Sequence, residues 1–184
     1  MNYLFSSERL YFRGWKPTDL EDLAAINADD NVMQYFSQTQ SKEHTRKFIE
    51  RMMVQLKEEG LCYFAAIEKS SEKLIGFIGL SMQDYVPNRG TFVDVGWRLA
   101  TDFWGKGYAT EGALANLNYG FESLGLKEIF AVAPKINGPS IHVMEKIGMK
   151  KEDEFLHPKL KGFENLERCV LFSIKIDQFA EAKT

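Results

Sequence analysis

The stretch Phe103-Trp104-Gly105-Lys106-Gly107-Tyr108-Ala109-Thr110-Glu111 decides how the rest of the chain is read. Ahead of it, Thr91 to Leu99 carries apolar or aromatic residues at 93, 95, 97 and 99, the alternation of a strand. Behind it, Gly112 to Leu124 sets Ala113, Leu114, Leu117, Phe121 and Leu124 at helical spacing. The glycines therefore fall where a strand gives way to a helix. Two glycines two apart let the backbone turn sharply and approach a ligand, and the first amides of a helix have no partner inside it. Those N–H groups, backed by the positive end of the helix dipole, suit an anionic diphosphate, and Lys106 adds a positive charge. A plain glycine-bearing connection is the other reading. Two better-known phosphate loops are excluded by spelling: a dinucleotide fingerprint needs Gly where Thr110 stands, and a Walker loop needs Ser or Thr where Gly107 follows Lys106.

The string Trp104 to Glu111 follows Asp94-Val95-Gly96-Trp97 and precedes Asn137-Gly138-Pro139-Ser140-Ile141-His142-Val143-Met144-Glu145-Lys146-Ile147-Gly148-Met149. Together these resemble the acetyl-coenzyme A signature of the GNAT N-acetyltransferase family, and more narrowly its bacterial ribosomal-protein N-terminal (alanine or serine) acetyltransferase branch. Glu8-Arg9-Leu10, Asn31-Val32-Met33-Gln34-Tyr35 and Ile75-Gly76-Phe77-Ile78-Gly79 resemble that branch in order, so the likeness covers roughly residues 6 to 176.

The resemblance implies an α/β fold, a mixed and mostly antiparallel sheet of six or seven strands with helices on both faces, in one domain spanning 1–184. It implies transfer of acetyl from acetyl-CoA directly to a primary amine, without a covalent intermediate or a metal. Gly105, Lys106, Gly107, Tyr108, Ala109 and Thr110 would hold the diphosphate. Trp97 and Leu99, where two parallel strands splay, would offer main-chain groups to the pantetheine. Asn137 would hydrogen-bond the pantetheine arm or the substrate, and the Ser140 hydroxyl would meet the departing thiolate; as residues, Asn137 also reads as a helix cap and Ser140 as a first-turn hydroxyl. The first two helices would line the acceptor side, leaving Tyr35 and Phe36 either at substrate or in the core. The chain departs from the pattern at Met144, where many relatives have a Tyr general acid, and at Asp102, expected to point outward.

Asp94 is the candidate base. Alternation sets it opposite Val93, Val95 and Trp97, one strand before the loop, where a carboxylate could take a proton directly or through water. The family often has the longer Glu there, and an outward-facing strand carboxylate, or one that merely orients a substrate cation, is the competing reading. Among acceptors, an α-amine with a reference pKa near 8 demands less of a base than a lysine side chain. A protein N-terminal α-amine is therefore expected first and a small-molecule amine second; a non-catalytic acyl-CoA-binding sensor is the alternative from another class.

Composition sets bounds. At 184 residues with 45% apolar content the chain suits one domain with a full core, and a net charge of −3 gives no general reason to expect nucleic acid. No stretch approaches the roughly 18 to 20 apolar residues of a membrane span, so a cytoplasmic protein is expected. Cys62 and Cys169 lie far apart in apolar segments, the pattern of buried thiols, and His142 and His157 lack metal-ligand spacing. A homodimer is common among proteins of the resembling family, but no segment signals an interface.

Along the chain, Leu10 to Arg13, Leu61 to Glu68, Leu74 to Met82, Glu128 to Val132, Lys150 to Phe155 and Leu166 to Ile176 read as further strands. Helices are expected after Pro17, from Lys42 to Glu59 between a Ser41 cap and Gly60, and after Asn137 with Ile141, Met144 and Ile147 inward. His44 and Lys146 read as solvated helix residues, although Lys146 could reach a ribose phosphate. The tail after Asp177 is expected to fray.

Overall fold

The computed structural model describes residues 3–181. The alternating segments become strands β1 (Phe5–Ser6), β2 (Leu10–Arg13), β3 (Tyr63–Glu68), β4 (Leu74–Gln83), β5 (Phe92–Leu99), β6 (Glu128–Pro134), β7 (Lys150–Leu156) and β8 (Arg168–Lys175). They form one sheet in the order β1-β2-β3-β4-β5-β6-β8-β7, antiparallel throughout except between β5 and β6. The strand beyond the expected seven is β1, whose two residues pair Phe5 with Phe12 and are too few to show alternation.

The helices are α1 (Leu20–Ala28), α2 (Asp30–Met33), α3 (Lys42–Glu59), α4 (Tyr108–Asn118), α5 (Gly138–Lys146) and α6 (Ile176–Glu181). Helix α3 has the bounds its caps dictate: Ser41 Oγ accepts from His44 N at 3.2 Å, and Gly60 closes it at φ 74°. Helix α4 begins four residues earlier than its apolar spacing suggests, because Gly107 in the left-handed region turns the chain directly into it. The end of the chain also differs from expectation. Residues 176–181 are helical rather than frayed, since Phe179 is buried with its ring 5.2 Å from that of Phe121; 182–184 lie outside the described residues.

Helices α1 and α3 cover one face of the sheet, and α4, α5 and α6 the other. On the first, Phe48 of α3 packs on Phe77 and Tyr63, with ring centroids 5.3 and 6.4 Å away. On the second, Gly112 lets α4 come so close to the sheet that an added Cβ would stand 2.2 Å from Ile78 Cδ1. Ala113, Leu117, Met144, Ile147 and Phe179 join Val95, Ile129 and Ala131 in the core of that face.

The sheet is two antiparallel halves joined at a narrow seam. β4 and β5 pair along eight positions and β6 and β8 along seven, yet β5 meets β6 at the single pair Asp94↔Phe130. Close approach of β3, β4 and β5 depends on glycine. At Gly79 a Cβ would lie 2.3 to 2.4 Å from Cys62 O, Phe64 N and Tyr63 Cα. Gly79→Ala must push β3 from β4, and we expect it to cost about 1–3 kcal/mol in denaturant unfolding, the usual range for overpacking; an unchanged midpoint would refute that contact.

Candidate active site

Gly105 and Gly107 adopt φ of 69° and 81°, the left-handed region open to glycine, and so fold the chain from the end of β5 into α4. Among the described residues no protein group accepts a hydrogen bond from the amides of 105–110; the first bond back into the loop runs from Glu111 N to Gly107 O at 3.0 Å. The loop is clamped from behind. Glu111 accepts from Arg9 N, Arg9 Nε and Ser7 Oγ at 2.6 to 2.7 Å, and Arg9 Nη1 donates to Lys106 O at 3.0 Å. The Arg9 guanidinium lies 4.4 Å from the Tyr108 ring centroid, and the Tyr108 hydroxyl donates to Glu68. A cavity of about 300 Å³ lined by Glu8, Arg9, Lys69, Ser70 and Tyr108 lies on that side. Lys106 itself is exposed, as is Asp102, in agreement with its expected outward position.

The seam opens beside this loop. Ala100 N donates to Ile75 O at 3.0 Å, so the even-numbered end of β5 turns its polar groups toward β4 and the odd-numbered Trp97 and Leu99 turn theirs toward β6. Beyond Asp94↔Phe130 those groups have no strand partner, although Leu99 O accepts from Trp104 Nε1 at 2.8 Å. Free amides at a helix N-terminus next to an open strand edge fit a diphosphate followed by a chain of amides, the chemistry of coenzyme A.

Asp94 faces the α1/α3 side and is 4% exposed, so it is not an outward strand carboxylate. Tyr63 Oη donates to its Oδ1 at 2.7 Å, Tyr85 Oη to its Oδ2 at 3.3 Å, and Gln83 Nε2 reaches Tyr63 Oη at 3.0 Å. The Tyr63 ring occupies the space over Gly96, where a Cβ would meet it at 2.9 to 3.3 Å. Tyr85, from the connection between β4 and β5, roofs Asp94 and packs on His157 at 4.4 Å. Burial raises the Asp94 carboxyl to about 7, the hydrogen bonds from Tyr63, Tyr85 and Gln83 opposing that rise in part. Burial also raises both phenols. Neither tyrosine nor Gln83 has a motif around it; the signal that could have found them is the pair of mid-strand glycines, 79 and 96, which mark where another group comes close.

The profile of an acetyltransferase (GNAT) domain matches residues 9–150. The chain belongs to the GNAT acetyltransferase family. An uncharacterized N-acetyltransferase of Bacillus subtilis (strain 168), YnaD, is 31% identical over 160 residues, covering 86% of this chain and 89% of that one. Spermidine N(1)-acetyltransferase of Escherichia coli (strain K12) is 28% identical over 77% of this chain and 75% of its own. Among solved structures, a GNAT-family acetyltransferase from Bacillus anthracis has a TM-score of 0.75 at 29% identity, covering 92% of this chain and 96% of that one. The ribosomal-protein-S5-alanine acetyltransferase of Vibrio fischeri has the same TM-score at 21% identity, over 95% and 97%, and so shares the fold. The protein is accordingly an acetyltransferase with the mixed GNAT sheet, and acetyl-CoA is its implied cosubstrate.

In this GNAT domain the remaining candidates sit as follows. Asn137 Oδ1 accepts from Ser140 N at 3.1 Å and caps α5, so the Asn is engaged as a cap at its oxygen, and Ser140 is half-buried beside it. Met144 is 2% exposed inside the core, where it fills volume and faces no solvent. His142 and Lys146 are exposed. Cys62 and Cys169 are buried free thiols whose ionisation burial pushes up, for Cys169 to about 12. No helix among the described residues is long and apolar enough to cross a membrane. Gly107→Val puts a β-branched residue at φ 81°, a change that costs at least about 1–2 kcal/mol locally and crowds the free amides. We expect titration calorimetry to show acetyl-CoA binding lost with the circular dichroism spectrum retained; unchanged affinity would mean that the loop does not hold the diphosphate.

Proposed function

We propose that this GNAT enzyme acetylates a primary amine at Asp94, with an α-amine, of a protein N-terminus or of a small molecule, as the acceptor class. The observation that carries the reading is a buried carboxyl raised to about 7, on the strand that supplies the open edge and leads into the loop of unpaired amides. Acetyl-CoA supplies the acetyl thioester. The amides of 105–110 and Lys106 neutralise its diphosphate, and the main chain of Trp97 and Leu99 aligns its arm along the seam.

Asp94 takes a proton from the incoming ammonium, leaving a lone pair free to attack the thioester carbonyl. Tyr63 and Tyr85 fix the carboxylate's direction while Gln83 fixes Tyr63. The carbon–sulfur bond then breaks, the nitrogen's second proton passes to solvent, and the thiolate takes a proton from solvent, directly or relayed through Ser140, which is reprotonated by the same water. Asn137 holds the start of α5, which sets Ser140. Met144, enclosed in the core, leaves the acid role to others. A carboxyl with a value near 7 also suits an α-amine, whose own reference value lies near 8, better than it suits a lysine.

The sign of the pH dependence follows. The folded chain keeps the Asp94 proton up to about 7, whereas the unfolded chain releases it near the ordinary 3.8. This group's contribution to stability is therefore fully favourable below about pH 4 and weakens as pH rises to 7, while catalysis by the carboxylate grows over the upper part of the same range. Asp94→Asn should lower kcat/KM by roughly 10²- to 10⁴-fold and erase the limb near pH 7, and should unfold later than the parent at pH 8. The assay is release of free thiol from acetyl-CoA with a panel of amines and N-terminal peptides across pH 5 to 9. An unaltered pH profile removes Asp94 from the reaction, and tight acetyl-CoA binding with no thiol release on the whole panel favours an acyl-CoA sensor instead.

A further inference from the structure

Asp94 is one of two charged groups on the α1/α3 face of β5 that have no opposite charge to meet. The other is Arg98, four residues further along and so about 13 Å away by Cα spacing. Its Nη1 donates to Asn27 Oδ1 at 2.7 Å, while its Nε is enclosed and has no hydrogen-bond partner. Phe36 and Phe77 face the guanidinium at 4.2 and 5.3 Å from their ring centroids. Among the described residues no carboxylate forms an ion pair with it, and burial lowers its ionisation to about 10.

The contrast with Arg13 shows what a finished pair looks like in this protein. Arg13 is buried on the same face and is held by both Asp19 oxygens at 2.7 and 2.8 Å. Arg98 is half-buried with no counter-ion, and a cation drawn out of water in this way is destabilising unless something completes it. Asn27 cannot be that partner: it is neutral, and its Nδ2 donates to Thr45 Oγ1 at 3.0 Å, so its role is to tie α1, α3 and β5 around Arg98.

The geometry points to an acceptor amine that carries a carboxylate, the ammonium going to Asp94 and the carboxylate to Arg98. This rests on the acceptor binding at Asp94 as proposed above. Between the two charges stand Tyr63, over Gly96, and Phe77, their rings stacked at 5.1 Å with Phe48 of α3 packed on both. A substrate carrying both charges would satisfy Asp94 and Arg98 together, and the planar guanidinium, whose Nη1 alone is engaged, is a rigid fork of donors that matches a carboxylate. A polyamine would instead bring a second positive charge against Arg98. Two sources present the required chemistry, a free amino acid whose second carboxylate stands at the end of its side chain and a peptide with an acidic residue near its N-terminus.

The test uses matched acceptors with the purified full chain: a series of acidic amino acids of increasing length against their side-chain carboxamides, and peptides with Glu against Gln at the second and third positions. We expect the carboxylate member to win by roughly tenfold to hundredfold in kcat/KM in one of the two series, which tells the sources apart. In Arg98→Gln that ratio should fall to within about threefold of one, and Arg98→Lys, which keeps the charge but not the fork, should recover part of it. Equal rates for both members of every pair in the parent enzyme, or a preference that survives Arg98→Gln, overturn the inference and leave the acetyltransferase reading in place. Absence of thiol release with every amine overturns both.

Discussion

Everything that could be chemistry in this protein gathers at one failure of pairing, the place where β5 and β6 touch once and part. Each strand is committed elsewhere, β5 to β4 over eight positions and β6 to β8 over seven. The seam within the sheet would close only if the parallel pair between the two ladders ran its full length. Instead the halves are held together on the α4/α5 side by apolar contact among Val95, Ala113, Leu117, Ile129, Ala131 and Met144, which needs no main-chain hydrogen bonds across the seam. The strand groups beyond Asp94↔Phe130 are thereby left for another molecule, and the crossover from β5 to β6 must start at the mouth of the opening.

That crossover starts with the glycine loop, and its amides are free for a related reason. A side-chain cap on α4 would satisfy them internally; Gly107 supplies the turn without a capping side chain. The loop's rigidity comes from behind, through Arg9, Glu111, Tyr108 and Glu68, contacts made by side chains and carbonyls that leave the N–H groups untouched. The side chains and carbonyls that hold the loop and the main-chain amides that would hold the ligand are thus separate groups.

The parts written in local sequence were the parts that could be read from it. Helix α3 is bounded by its own Ser41 and Gly60, the loop by Gly105 and Gly107, and β5 by its alternation, each a signal contained within a dozen residues. Strand β1 is too short for a period, and α6 depends on Phe179 reaching Phe121, a contact between distant segments. The acid at 94 was legible as an acid on a strand. Its character was not, because the burial that raises it and the hydroxyls that hold it come from Tyr63 on β3 and Tyr85 beyond β4.

The same limit separates the seam, which the resemblance implies, from Arg98, which no local pattern marks. In sequence Arg98 is a strand arginine between Trp97 and Leu99, and nothing local says that it turns inward. Only once β4 and β5 pair Phe77 with Arg98, and α1 sets Asn27 above it, does its charge become enclosed. One strand then presents three kinds of group on one side and an edge. Its odd-numbered residues turn main-chain groups toward the seam, its even-numbered Asp94 and Arg98 turn opposite charges toward α1 and α3, and Gly96 between them admits the ring that links the two. A change of register by a single residue would exchange the two sets and move both charges to the other face of the sheet, so the long ladder between β4 and β5 fixes the chemistry as firmly as it fixes the fold.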